Sequence, residues 1–142
     1  GRLAKDLDLE ENIIFLGYID ESIKNEIYNL CDIYIMNSLS IDQDGNSEGF
    51  GITFLEANSC GKPVIGTNVG GISDAIKNGV NGYVINPNNP KELSRYIAKI
   101  LNNNNLYSTL SKNALNMVKK NFDIEIVAKK FNTIIDKVYD FD

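Results

Sequence analysis

The stretch Ser47 to Gly66, SEGFGITFLEANSCGKPVIG, decides how the rest of the chain is read. Glu48 precedes a Gly49-Phe50-Gly51 turn, and Glu56 lies in the helix-compatible run that follows and ends at Gly61. A glycine there suits the left-handed position after a helix, and Pro63 cannot continue one. Val64-Ile65-Gly66 then reads as a short strand, so the local order is loop, helix, turn, strand. Glycines at 49 and 51 allow the backbone to approach a ligand closely. The N–H groups around Gly51, Ile52 and Thr53, at the start of the helix, suit an anion such as a phosphate. Glu56, roughly one turn inside the helix, is placed to accept hydrogen bonds from a vicinal diol, as on a ribose. Glu48 could do likewise for a sugar. The bland alternative is two solvated charges flanking an ordinary turn.

Upstream, Arg2 to Leu9 reads as the end of a helix, and Asn12 to Leu16 as a short strand closed by Gly17. Asp20 suits the N-cap of a helix with Ile23, Ile27 and Leu30 on one face, and Ile33 to Met36 forms the next strand. Downstream, Thr67 to Gly71 is a loop in which Gly70 and Gly71 either present amides to a ligand or serve as a flexible connection. A short helix over Ile72–Ile76 and a strand over Tyr83–Ile85, entered through Asn81-Gly82, come next. Asn89 and Pro90 start an amphipathic helix with Leu93, Tyr96, Ile97, Ile100 and Leu101. Two more helices follow, one carrying Leu106, Leu110, Ala114 and Met117. The other is capped by Asp123 and carries Val127, Phe131, Ile135 and Val138. The stripes of these last three helices, about 90–140, read as core. Alternation of strands and helices predicts a parallel sheet covered by helices.

The polar loop Ser38–Ser47 contains Asp42-Gln43-Asp44, a pair that invites a metal reading. A calcium loop fails because its sixth position is Ser47 rather than glycine. We expect no metal there and read an acidic loop beside the site.

With 142 residues, 43% apolar and 23% charged, the chain fits one soluble globular domain with a real core. No apolar run approaches the ~20 residues of a membrane span, and the first residues do not form a signal peptide, so a cytoplasmic protein is expected. A net charge of −5 argues against nucleic-acid binding and requires any anionic ligand to be held locally, by amides and helix ends. Histidine is absent, so no imidazole serves as a general base. Cys31 and Cys60, in helix-like contexts without metal spacing, read as buried thiols rather than a disulfide.

Taken in order, Glu48-Gly49-Phe50-Gly51, Glu56-Ala57, Gly61-Lys62-Pro63-Val64-Ile65 and Gly70-Gly71 resemble the donor-site signature of the family 4 (group 1) retaining glycosyltransferases. Phe15-Leu16-Gly17, Asp32-Ile33-Tyr34-Ile35 and Asn78-Gly79-Val80-Asn81-Gly82 extend the resemblance over nearly the whole chain. It implies a Rossmann-like α/β domain, the C-terminal nucleotide-sugar-binding half of a two-domain GT-B enzyme, with residues 1–142 a partial copy and the N-terminal acceptor domain absent. It further implies that Glu48, flanked by Ser47 and Gly49, contacts the donor sugar as the catalytic carboxylate. The amides of Phe50, Gly51 and Ile52, with Thr53 beside them, would hold the sugar and distal phosphate, and Glu56 the ribose. The base would lie against Gly17, Tyr18 and Ile19, and Gly70 and Gly71 would complete the site.

The nucleotide sugar is then a substrate, with no cofactor and no metal implied. The acceptor, a sugar, lipid or small molecule, would be taken by the other domain, and peripheral membrane association of the full enzyme is compatible with this. Retention through departure and attack on one face of the sugar needs charge stabilisation more than a protein nucleophile.

Three departures stand out. Asp74 occupies the place of the family's glutamate after Gly-Gly, Asn37 that of a proline, and the first two strands, with the basic residues after the first, are missing. In the strand order 3-2-1-4-5-6 those two strands belong between Asn12–Leu16 and Ile33–Met36, which leaves a gap in the sheet. The chain alone is therefore expected to be inactive. The alternatives are a nonenzymatic module that binds a nucleotide sugar or a partner, or an epimerase or phosphorylase of GT-B architecture.

Overall fold

The computed structural model describes residues 1–38 and 50–139. Its centre is a three-stranded, all-parallel sheet in the order β1 (Tyr34–Met36), β2 (Val64–Thr67), β3 (Gly82–Ile85). Tyr34 lies opposite Val64, and Val64 in turn opposite Gly82. Parallel neighbours need a crossover, and the crossover after β1 contains α3 (Ile52–Ser59). The sheet covered by helices that the sequence predicts is thus present.

Every residue of β2 is buried, as a parallel strand covered on both faces should be. Side chains alternate along it. Val64 joins Phe54 and Ala57 of α3, and Ile72, Ala75 and Ile76 in and just after α4 (Ile72–Ala75), in one core cluster. Ile65 points to the other face, with Tyr83, Ile85, Ile100 of α5 (Pro90–Leu101) and Leu110 of α6 (Asn104–Asn121). Gly66 has no room for a side chain, since a Cβ there would lie 2.7 Å from Phe54 and 2.8 Å from Ile72 and Ile76. Helix starts follow sequence logic: the side chain of Asn89 accepts from Glu92 N at 3.1 Å, that of Asn103 from Leu106 N at 2.9 Å, and that of Asp123 from Glu125 N at 2.9 Å. Gly61 takes the left-handed conformation expected after α3, with φ +71°.

Three expectations are corrected. Asn12–Leu16 is not a strand: after α1 (Arg2–Asp6) a 3-10 turn covers Glu10–Asn12, and Ile13 to Leu16 continue unpaired, with Ile14 83% exposed. A strand exists only with a hydrogen-bonding neighbour, and among the described residues none lies beside this segment or beside the outer edge of β1.

In α2 (Lys24–Leu30), which follows a 3-10 turn over Glu21–Ile23 begun by Asp20, the buried residue is Tyr28 rather than the Ile23, Ile27 and Leu30 face. Finally, α7 (Ile124–Tyr139) buries no residue, and Val127, Phe131, Ile135 and Val138 are exposed. Its stripe is real, but among the described residues no element covers it.

Candidate functional site

In a parallel sheet the carboxyl ends of the strands point to one rim, where ligands are bound. Here the rim is formed by the residues that follow β1 and β2, and Thr67 Oγ1 donates to the Ser38 carbonyl at 2.6 Å, tying the two together. The segment from Phe50 into α3 and the Gly70-Gly71 loop both leave from this rim.

Gly51 precedes α3 with φ +74° and ψ 58°, a left-handed conformation that a side chain would strain. A Cβ there would also lie 2.7 Å from the Phe54 ring, so the residue must be glycine on both counts. The Gly51 carbonyl accepts from Phe54 N at 2.9 Å. The N–H groups of Ile52 and Thr53 belong to the first helical turn and have no acceptor within the helix. Ile52 is exposed, so its side chain does not plug the helix mouth. Phe50 is half-buried and packs on Phe122 with ring centroids 5.7 Å apart. The corner between α6 and α7 therefore braces the entrance to α3.

The Glu56 carboxylate is held from α2. Lys24 Nζ donates to one oxygen at 2.9 Å and Tyr28 Oη to the other at 2.7 Å, while the side chain remains 33% exposed. Lys24 also reaches Glu21 at 3.2 Å. Burial, with the Glu56 carboxylate as the next cause, pushes the Tyr28 phenol far above its ordinary value, so it stays a donor. The hydrogen bond to Glu56 raises Lys24, which stays charged. The Tyr28 ring meets Tyr34 of β1 edge-on at 5.5 Å, and Tyr34 meets Phe54 at 5.6 Å, which anchors the arrangement to the core.

Ile19 lines an apolar groove of about 270 Å³ together with Lys24, Tyr28, Cys31 and Ile35. Glu56 opens onto an adjoining hollow that shares Glu21, Lys24 and Tyr28 with that groove. The structure thus brings Ile19 and Glu56 to neighbouring recesses, whereas Tyr18 projects into solvent and Gly17, at φ +66°, has open space where a side chain would begin. Gly70 is left-handed at φ +53°, and Gly71 leads into α4. Asp74 lines a hollow with Lys77, Phe122 and Lys130, so it borders the same Phe122 that braces Phe50. Cys31 and Cys60 are free, half-buried thiols, and burial pushes Cys31 up. Ser47, Glu48 and Gly49, and the Asp42–Asp44 loop, lie outside the described residues. Among the described residues no helix is long and apolar enough to cross a membrane.

Sequence reasoning missed Lys24, Tyr28 and Phe122. For the first two a signal existed: positions 24 and 28 stand four apart on one helix and face the same neighbour.

A family model described as glycosyl transferases group 1 matches residues 2–117. An uncharacterised glycosyltransferase of Methanocaldococcus jannaschii is 33% identical over 131 residues, covering 82% of this chain and 37% of that protein. The chain spans about a third of the length of the curated relatives it matches. Among solved structures, the C-terminal domain of a group 1 family glycosyl transferase from Francisella tularensis is similar with a TM-score of 0.75 and 26% identity, over 87% of this chain and 60% of that one. An Anabaena protein solved in complex with UDP-glucose matches with a TM-score of 0.81 and 25% identity, over 96% of this chain and 35% of that one.

Proposed function

The chain belongs to the group 1 glycosyltransferase family, and from that premise we propose that it is the donor-binding part of a retaining enzyme that moves a sugar from a nucleotide sugar to an acceptor in glycan or polysaccharide synthesis. The observation that carries this reading is the Glu56 carboxylate, fixed by Lys24 and Tyr28 one turn inside a helix whose mouth opens at left-handed Gly51. The main-chain nitrogens of Phe50, Gly51 and Ile52 would take the distal phosphate and the sugar, with Thr53 beside them. Glu56 would accept the ribose hydroxyls, and the base would lie towards Ile19 and the backbone of Gly17 and Tyr18. Glu48, between Ser47 and Gly49, would contact the transferring sugar, and Gly70 and Gly71 would close the far side. The donor half then supplies fixed positive potential where the departing diphosphate gains charge, and the phosphate itself accepts the proton of the acceptor.

A solved neighbour holding UDP-glucose supports a nucleotide sugar as donor. The acceptor, whether sugar, lipid or small molecule, would be chosen by an N-terminal domain in the complete polypeptide, with this chain as part of its C-terminal domain.

Thermal melting of the complete polypeptide with UDP-, GDP- and ADP-sugars tests the reading. A ligand present at a hundred times its Kd stabilises by about 2.7 kcal/mol, so at least one donor should raise the melting temperature by several degrees. No shift with any of the three would overturn it. Glu48→Gln should then cut turnover more than nucleotide affinity, and Glu56→Gln the reverse. Two variants that bind and turn over like the parent would remove both roles.

A further inference from the structure

We propose that Tyr28 and Lys24 are positioning residues for Glu56, and that by occupying one lone-pair site on each carboxylate oxygen they make this helix selective for an intact ribose diol over deoxyribose. The inference rests on the donor-site reading above and adds two residues and a specificity to it.

A carboxylate offers about four acceptor sites, two per oxygen. Tyr28 Oη takes one at 2.7 Å on the first oxygen and Lys24 Nζ one at 2.9 Å on the second, leaving one on each. Two free sites, one per oxygen, match the two adjacent hydroxyls of a cis diol and are half wasted on a sugar that carries only one. The two donors differ in what holds them. Tyr28 is buried, and its ring is fixed against Tyr34, so its hydroxyl is a rigid reference point. Lys24 is part-exposed and shared with Glu21 at 3.2 Å, so it supplies charge and the second anchor. A glutamate reaching out of a helix has several rotamers; two donors from a neighbouring helix select one of them before any ligand arrives.

Tyr28→Phe and Lys24→Met in the complete polypeptide test this by calorimetry with UDP, GDP and ADP, taking the one that binds tightest, against its 2′,3′-dideoxy counterpart. Each variant should weaken the ribonucleotide by about three- to ten-fold and leave the dideoxynucleotide within about two-fold. Tyr28→Phe added to Glu56→Gln should cost nothing further, because the tyrosine acts only through the carboxylate. Equal weakening of both nucleotides would make Tyr28 a packing residue and end the proposal. Parent-like ribonucleotide binding by both variants would also end it, while a loss of ribose preference in Glu56→Gln would leave the donor site standing. If Glu56→Gln keeps the preference, or if none of the three ribonucleotides binds, the donor-site reading falls and the positioning role goes with it.

Discussion

Ile13-Ile14-Phe15-Leu16 and Val64-Ile65-Gly66-Thr67 are both four-residue runs with strand character, and the first is the more apolar. The first lies in solvent, with Ile14 83% exposed, and the second is entirely buried, with Ile65 at 0%. The difference is in the neighbours. Strand β2 has a parallel partner on each edge and helices on both faces, so its backbone groups are paired and both rows of side chains are covered. The Ile13–Leu16 segment has neither among the described residues, and apolar character alone cannot bury it. Hydrophobic pattern proposes a strand; a second strand has to accept it.

The comparison breaks most sharply through aromatic deletions. Phe54 fills the space under β2 and meets Tyr34 edge-on, so Phe54→Ala should cost about 3–5 kcal/mol in urea unfolding. Phe15→Ala should cost less than about 0.5 kcal/mol, as surface changes do. Comparable losses from the two would show that the Phe15 segment is packed after all.

A polar counterpart comes next. Asn81 is fully buried and spends its side chain on Asn58 Oδ1 at 2.9 Å, the Ala75 carbonyl at 3.0 Å and Lys77 N at 2.7 Å. These bonds hold the turn that delivers β3 to β2. Asn81→Leu orphans several buried partners at once and should cost about 2 kcal/mol or more. A loss below about 0.5 kcal/mol would mean that water replaces the amide.

Legibility followed the same division. Helix α5 was readable because Asn89, Pro90 and a 3.6-residue stripe agree with one another, and the stripe is covered except at its end, where Leu101, expected in the core, is exposed. The equally regular stripe of α7 was readable as a helix but not as core, because periodicity reports a face and not what meets it. At the candidate site, Gly51, Glu56 and the strand after Gly61 could be taken from local order alone. The hold of Tyr28 and Lys24 on Glu56 could not, since it spans 28 and 32 residues and depends on how α2 and α3 pack. The Phe50–Phe122 contact is of the same kind.

That long-range contact sharpens the contrast through pH. The folded state raises both Tyr28 and Lys24 above their ordinary values, so it holds protons that the unfolded chain has already released. Their contribution is fully present below about pH 10 and is lost as pH climbs through the folded values. The alkaline decline in stability should therefore flatten in Tyr28→Phe and, less, in Lys24→Met. Parallel declines in parent and variants would disconnect the pair from folding.

The smallest expected change is the most informative about the exposed run. Ile14→Ser in this chain should alter stability by no more than about 0.5 kcal/mol, because the side chain leaves water on neither side of the unfolding equilibrium. In a complete polypeptide that supplies the two strands which the family resemblance places between this segment and β1, the sheet would extend to it. Ile14 would then be buried on folding, and the same substitution should cost about 1.5–3 kcal/mol. Amide exchange checks the backbone half of the claim: residues 13–16 should exchange freely here and become protected there, while Ile65 is protected in both. A small cost and free exchange in both proteins would mean that this run is surface in its own right and that the gap beside β1 is filled by something else.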